Sequence, residues 1–261
     1  MAQTALITGA SIGIGMELAR LCADDGHVVI LVARDVERLN AVAAECKQRG
    51  APEAHVIPTD LAIPNAAVSL AGELTRRKLD VDILINNAGF GVHGCFWQAD
   101  AQLNLNLLQV NITALTQLTR LLLPAMIERK RGRIMNVASV AGWIPGPLMA
   151  TYFASKAYVI SFSLALSDEC RGTGVTATTV CPGATATEFF KRARIGTAPL
   201  ATGPMMSAES VARIGYRAML RGRPMVVTGW GNKFVAQATR LIPKMLAARV
   251  AGKRNRLRTS P

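Results

Sequence analysis

The sequence predicts an α/β fold, a doubly wound parallel sheet of about seven strands in a single domain. Three observations support this. Short apolar, β-branched runs alternate with longer stretches of helical character along the chain. The short runs are apolar almost throughout, as strands covered on both faces must be. Each interval is long enough for the crossover helix that parallel neighbours require.

The strands are expected at Ala5–Thr8, Val28–Val32, His55–Pro58, Asp82–Ile85, Arg133–Ala138, Val175–Cys181 and Met225–Thr228. Helices are expected near residues 13–25, 36–49, 65–78, 101–129, 149–171 and 208–221. Asp35 reads as the N-cap of the second helix. No internal repeat or low-complexity linker calls for a second domain.

Composition agrees. The chain has 261 residues, half of them hydrophobic, enough to bury a full core. Its 22 Gly, 12 Pro and 18% charged residues exclude a coiled coil or a charged disordered chain. No membrane span is expected, because the longest uncharged run, residues 134–155, is broken by Asn136, Gly142, Pro145 and Pro147. The first strand begins by Ala5, so no signal peptide is expected. Five cysteines lie far apart without a CxxC pair, which argues against a disulfide framework and for a reducing, cytoplasmic setting. The three histidines, at 27, 55 and 93, have no ligand spacing, so no metal site is expected.

The net charge of +13 is uneven. Residues 191–261 hold 15 of the 30 Lys/Arg but only one of the 17 acids, Glu209. Within 231–261, Phe234, Ala238, Leu241, Ile242, Met245 and Leu246 recur at helical spacing among basic residues, and Pro243 should kink or end that helix. Three readings stay open for this extension: a cover over a substrate cleft or subunit contact, a peripheral contact with an anionic membrane, or a solvated basic tail. Nucleic-acid binding is not expected, since the charge does not interleave with aromatics.

Chemistry begins at the first turn. Strand one ends in Thr8-Gly9-Ala10-Ser11-Ile12-Gly13-Ile14-Gly15, followed by a helix. Glycines there let the backbone approach a pyrophosphate at the helix N-terminus, where free N–H groups favour anions. Tyr152 and Lys156 are four apart on an expected helix, so they share a face. An ammonium beside a phenol should lower its pKa from about 10 and suit it to general acid/base work near neutrality.

The Gly-x-x-x-Gly-x-Gly spacing resembles the short-chain dehydrogenases/reductases, of the non-extended type. The resemblance recurs in order at Asp60-Leu61, Asn86-Asn87-Ala88-Gly89, Asn111, Ser139, Tyr152-x-x-x-Lys156 and Pro182-Gly183, over roughly residues 3–230. It implies a Rossmann-like fold and hydride transfer between a nicotinamide and a carbonyl or alcohol. Asn111, Ser139, Tyr152 and Lys156 would be the catalytic set. Tyr152 would be the general acid/base, Ser139 would hold the substrate oxygen, and Asn111 would hold a water beside Lys156. Gly9, Ser11, Gly13, Ile14, Gly15, Arg34, Asp60, Leu61, Asn87, Ala88, Gly89, Tyr152, Lys156, Pro182, Gly183, Thr185 and Thr187 would contact the cofactor. Asp60 could equally cap the next helix, and Thr185 and Thr187 could be local hydroxyl caps.

NADP(H) is expected over NAD(H). Ala33 stands where NAD users of this family carry an acid, and Arg34 follows with a guanidinium shaped for a phosphate. Ile12 departs from NADP users that carry a second basic residue in the glycine turn.

Substrate-facing loops are expected at residues 90–97, 140–148 and 188–206. Their Phe90, His93, Cys95, Trp97, Trp143, Ile144, Met149, Phe189 and Phe190 favour an apolar or bulky carbonyl or alcohol, with Ser139, Tyr152, Phe90, His93, Trp143 and Phe189 as the expected lining. The family analogy implies a homodimer or homotetramer packed through the long helices. A rival reading is a catalytically silent NADP-binding regulator, and another is a membrane-surface module.

Overall fold

Successive residues of a strand point to opposite faces, and the central strands of this protein divide their side chains between two cores. The computed structural model describes residues 2–193, 195, 198–239 and 242–257. Its strands are β1 (Thr4–Thr8), β2 (Val28–Val32), β3 (Ala54–Val56), β4 (Ile83–Asn86), β5 (Gly132–Val137), β6 (Val175–Cys181), β7 (Thr185–Ala186), β8 (Met206–Ser207) and β9 (Met225–Val227). Seven form one parallel sheet in the order β3-β2-β1-β4-β5-β6-β9, while β7 and β8 pair separately. The helices are α1 (Gly13–Asp24), α2 (Val36–Gln48), α3 (Ala66–Arg76), α4 (Ala101–Leu108), α5 (Leu115–Glu128), α6 (Ala150–Glu169), α7 (Phe189–Arg192), α8 (Pro199–Thr202), α9 (Ala208–Leu220), α10 (Trp230–Ala238) and α11 (Lys244–Asn255).

Ala5, Ile7, Val29, Leu31, Ile83 and Ile85 pack with Leu18 of α1, Leu39 of α2 and Met219 of α9. Leu6, Ile30, Val32, Leu84 and Ile134 pack on the other face with Leu70 of α3, Leu118 of α5 and Leu166 of α6. The fold is therefore the doubly wound, Rossmann-like one expected.

Sheet order reverses between β1 and β4, which opens a crevice at their carboxyl ends. Thr8 stitches that point. Its hydroxyl donates to the Ile85 carbonyl (3.3 Å) and accepts the N–H groups of Asn87 and Ala88, each at 3.0 Å. A buried amide network lies beneath. Asn86 Nδ2 donates to Asn136 Oδ1 (2.9 Å) and Thr119 Oγ1 (3.1 Å), and Asn136 Nδ2 donates to Ser163 Oγ (2.9 Å). It ties β4 and β5 to α5 and α6.

Three expectations change. The helix at 101–129 is not a uniform α-helix: residues Gln109–Ala114 form a π-helical turn between α4 and α5. The continuous helix Ala101–Glu128 is also long and apolar enough to cross a membrane, which a search for uncharged runs missed because Arg120 interrupts it. In the fold it is a core helix, with Leu107, Ala114, Leu118 and Met126 fully buried. Pro243 is the N-cap of α11, so it starts a helix, while α10 ends earlier, at Ala238; Arg240, Leu241 and residues 258–261 of the basic extension lie outside the described residues.

Asn136→Ala would remove the donor to Ser163 and leave Asn86 Nδ2 with Thr119 as its one remaining acceptor in a dry interior. We expect a loss of about 2–4 kcal/mol in urea unfolding. A change under about 0.5 kcal/mol would show the network to be dispensable.

Candidate active site

The glycine turn is tight because its neighbours leave no room. Gly9 has φ +68°, and a Cβ there would lie 2.8 Å from Asn87 Nδ2. A Cβ on Gly15 would lie 2.2 Å from the Gly9 carbonyl oxygen. Asn87 Nδ2 donates to the carbonyls of Thr8 (3.0 Å) and Gly9 (3.2 Å), so the end of β4 holds the turn in shape. Ile12, at the N-cap of α1, makes no side-chain cap. The first N–H groups of α1 are thus available to an anion, and the cradle fits a dinucleotide pyrophosphate. Ser11 is buried in the turn, and the Ile14 side chain packs into the core below.

At the end of β2, Arg34 Nη1 lies 3.9 Å from Asp60 Oδ2, and its side chain is 69% exposed. Asp60 accepts the Ala62 N–H (3.0 Å), so it caps its own turn, and Leu61 is buried beneath. Asp35 caps α2 as expected, accepting the Arg38 N–H at 3.0 Å. A second guanidinium, Arg38, is engaged with Asp35 and Glu188 (3.2 Å), and the latter contact reaches the segment after β7.

Asn111, Ser139, Tyr152 and Lys156 come from three places: the π turn, the segment just after β5, and α6. Asn111 sits in the π turn, where Nδ2 donates to the Phe90 carbonyl (3.1 Å) and Ser155 Oγ (3.0 Å), and Oδ1 accepts the Phe90 N–H (3.1 Å). Ser155 in turn donates to the Tyr152 carbonyl at 2.7 Å. Lys156 is buried, with Nζ donating to the Val137 carbonyl (2.8 Å) and lying 5.9 Å from the Tyr152 ring centre. Gly89 makes room for both: a Cβ there would be 3.1 Å from Asn111 Oδ1 and 3.5 Å from Lys156 Nζ. Ser139 donates to the Pro182 carbonyl (3.3 Å) and accepts the Ala141 N–H (3.1 Å).

The electrostatics correct one expectation. Burial pushes the Tyr152 phenol up to about 12, and the Ser139 hydroxyl opposes this. Lys156 does not lower it. Burial holds the Lys156 ammonium down at about 8, with the Cys181 thiol opposing. The physical reason is desolvation, which disfavours the charged form of both groups before any further charge enters the site.

Past β6, Pro182 and Gly183 lead into Thr185, whose hydroxyl donates to the Gly183 carbonyl (3.0 Å). Thr187 accepts the Phe189 N–H (3.3 Å), and its methyl group is 3.0 Å from where a Gly13 Cβ would be. Phe189 then covers Tyr152, ring centres 5.1 Å apart. Met149, Ile144, Phe153, Phe190, Ala193, Ile195 and Ala198 complete that apolar cluster; Arg194, Gly196 and Thr197 lie outside the described residues.

Two expected lining residues are placed elsewhere. Trp143 packs with Val159, Ile160, Met225 and Val227 on the β9 side. His93 Nε2 donates to the Asn255 carbonyl of α11 at 2.8 Å. Phe90 is half-buried, held through its backbone by Asn111. Tyr158 is exposed, its hydroxyl 3.0 Å from Thr116 Oγ1.

Sequence reading missed Ser155, Phe153, Asn232 and Asn255. A Cβ on Gly183 would lie 2.2 Å from Asn232 Nδ2, so α10 closes against that segment. Asn255 Nδ2 donates to the Pro147 carbonyl at 2.9 Å. Only Ser155 carried a signal, being adjacent to Lys156.

Because its pKa is lowered, Lys156 should lose its charge as pH rises through about 8 in the cofactor-free protein. In protein with 13C-labelled lysines, the Cε resonance that vanishes in Lys156→Met should titrate there. A midpoint near 10, with the other lysines, would contradict this burial argument.

Residues 3–197 match the short chain dehydrogenase family. The ketoacyl reductase HetN of Nostoc sp. is 37% identical over 181 residues, covering 69% of this chain and 63% of that protein. A very-long-chain 3-oxoacyl-CoA reductase of Laccaria bicolor is 38% identical over 176 residues, covering 66% of this chain and 52% of that protein. A short-chain dehydrogenase from Sphingobium yanoikuyae, solved in complex with NADPH, superposes with a TM-score of 0.82 at 32% identity, covering 92% of this chain and 93% of that one. The bulky-bulky ketone specific alcohol dehydrogenase from Comamonas testosteroni superposes at 0.77 with 30% identity, covering 92% of each chain. The Gly9–Gly15 turn, the parallel sheet and these matches lead to one conclusion: the chain belongs to the short-chain dehydrogenase family.

Proposed function

We propose that this protein is an NADP(H)-dependent oxidoreductase that interconverts an apolar or bulky ketone and its alcohol. One observation carries the reading: the half-buried Tyr152 ring has Lys156 one turn along its helix and lies under the Phe189 ring, with the Ser139 hydroxyl acting to lower its pKa. A cofactor-binding regulator without turnover would need neither Ser139 nor the chain from Asn111 through Ser155 to Tyr152.

Gly9, Ser11, Gly13, Ile14 and Gly15 would hold the pyrophosphate at the start of α1. Asp60 and Leu61 would meet the adenine. Asn87, Ala88 and Gly89 would line the central part of the cofactor. Pro182, Gly183, Thr185 and Thr187 would face the carboxamide, and Lys156 the ribose hydroxyls. Arg34 would pair with a 2′-phosphate, turning from Asp60 to do so; its exposure leaves it free to move. A bound nicotinamide supplies the hydride acceptor or donor.

In reduction, Tyr152 donates its proton to the carbonyl oxygen as carbon gains hydride. With a phenol pKa near 12, that proton is present throughout the neutral range. Ser139 donates a hydrogen bond to the same oxygen and stabilises its developing charge. Lys156, one turn along the same helix, would hold the cofactor ribose beside the phenolate left behind. In oxidation the steps reverse, and Tyr152 takes the alcohol's proton. Asn111 positions the helix turn that bears Tyr152 and Lys156 through Ser155.

The apolar cluster over Tyr152 supports a substrate with bulky groups beside the carbonyl. The two similar reductases and the Comamonas enzyme point the same way, toward a 3-oxoacyl chain or a bulky ketone. Exposed Leu105, Leu108 and Leu121 on the long helices, with Leu164 on α6, support a homo-oligomer. The five free cysteines support a reducing, cytoplasmic setting.

Tyr152→Phe should cut NADPH oxidation with bulky ketones about a thousandfold while leaving NADPH binding intact, measured by fluorescence titration. Retained turnover would refute the assignment. Arg34→Ala should lower the preference for NADPH over NADH in kcat/KM by about 10- to 100-fold, the worth of one charge-assisted pair. An unchanged ratio would refute the 2′-phosphate role.

A further inference from the structure

We infer that α10 and α11 form a surface that docks on an anionic lipid bilayer. Both helices have a seated inner side. On α10, Ala236 is buried beside Met225 and Val227 of β9. On α11, Ala247, Ala248, Ala251 and Asn255 are buried, and Gly252 lies against Pro147.

The outer sides are apolar and cationic together. Trp230 is 86% exposed and Phe234, one turn on, is 76% exposed. On α11, Met245 is 71% exposed, and Leu246 and Val250, again one turn apart, are 52% and 54% exposed. Lys233, Lys244, Arg249, Lys253, Arg254 and Arg256 are exposed among them, and the Lys233 ammonium sits 4.4 Å over the Trp230 ring. After Glu209 the chain contains no Asp or Glu, while residues 230–261 hold eight Lys/Arg.

This combination selects the occupant. A solvated basic tail would not expose a Trp, a Phe and three aliphatic side chains on ordered helices. A second copy meeting the same surface would set the six exposed cations described above against their own copies, with no acid on either helix to offset them. Nucleic acid takes the cations but offers no apolar medium for Met245, Leu246 and Val250. A lipid interface accepts both: apolar side chains enter the acyl boundary, and long basic stems carry their charges out to the headgroups.

The surface is joined to the cleft. The end of α11 is pinned to two loops beside the site, through His93 to Asn255 (2.8 Å) and Asn255 to Pro147 (2.9 Å). If the substrate is the apolar carbonyl proposed above, docking would bring the cleft's rim to the phase where that substrate dissolves. The docking inference itself does not depend on that reading.

The test is co-sedimentation of the full chain with extruded vesicles. We expect pelleting with phosphatidylcholine containing about 30 mol% phosphatidylglycerol, and little with phosphatidylcholine alone. Arg249→Gln/Lys253→Gln/Arg254→Gln should weaken binding roughly 100-fold, and Trp230→Ser/Phe234→Ser/Leu246→Ser by a similar factor. Far-UV circular dichroism would verify that each variant is folded, and NADPH turnover without vesicles should be unaltered in both. Three results would overturn the inference: no pelleting with anionic vesicles, loss of binding in the charge variant alone, or a solution dimer abolished by the apolar variant. The second would assign the surface to a polyanion such as nucleic acid, the third to another copy of the chain.

Discussion

Parallel strands can be joined only by crossovers, and the crossovers here leave the sheet in opposite directions on either side of the β1–β4 boundary. Two carboxyl-terminal strand ends are therefore left facing a crevice that no connection covers. Everything chemical in the molecule is arranged about that gap. The Thr8 hydroxyl and the Asn87 amide bridge its two lips, so the glycine turn and the Asn87–Gly89 segment are one rigid unit. The buried Asn86–Asn136–Ser163 chain below holds β4, β5 and α6 in register, and α6 carries Tyr152 and Lys156.

Burial is the second governing condition, and it acts against ionisation. The phenol and the amine are both held toward their neutral forms. A site of this kind is prepared for charge that arrives during a reaction, because little water remains to screen it. Asn111 contributes through geometry. Its π turn lets one side chain hold both backbone groups of Phe90 and the Ser155 hydroxyl, linking the loop after β4 to the helix that presents the phenol.

The C-terminal segment is part of the same construction. Asn255 and His93 fasten α11 to the rims of two loops, and Asn232 packs α10 against Gly183. Helices that carry five Lys/Arg and no acid are thus attached to the mouth of the crevice. Residues distant in sequence, such as His93 and Asn255, meet only because the sheet brings its strand ends to one side.

The sequence by itself determined the strands, their parallel order and the glycine turn, since apolar runs, crossover lengths and glycine spacing are local and depend on short-range sterics and solvation. Asp35 as a helix cap was legible for the same reason. Tertiary structure decided the rest. It turned Trp143 toward β9, gave His93 to α11 and set Phe189 over Tyr152. It raised a phenol that neighbouring charge alone would have lowered. Partner choice and desolvation depend on segments tens of residues or more apart, 162 for His93 and Asn255, and no local pattern encodes the distance between them once the chain has folded.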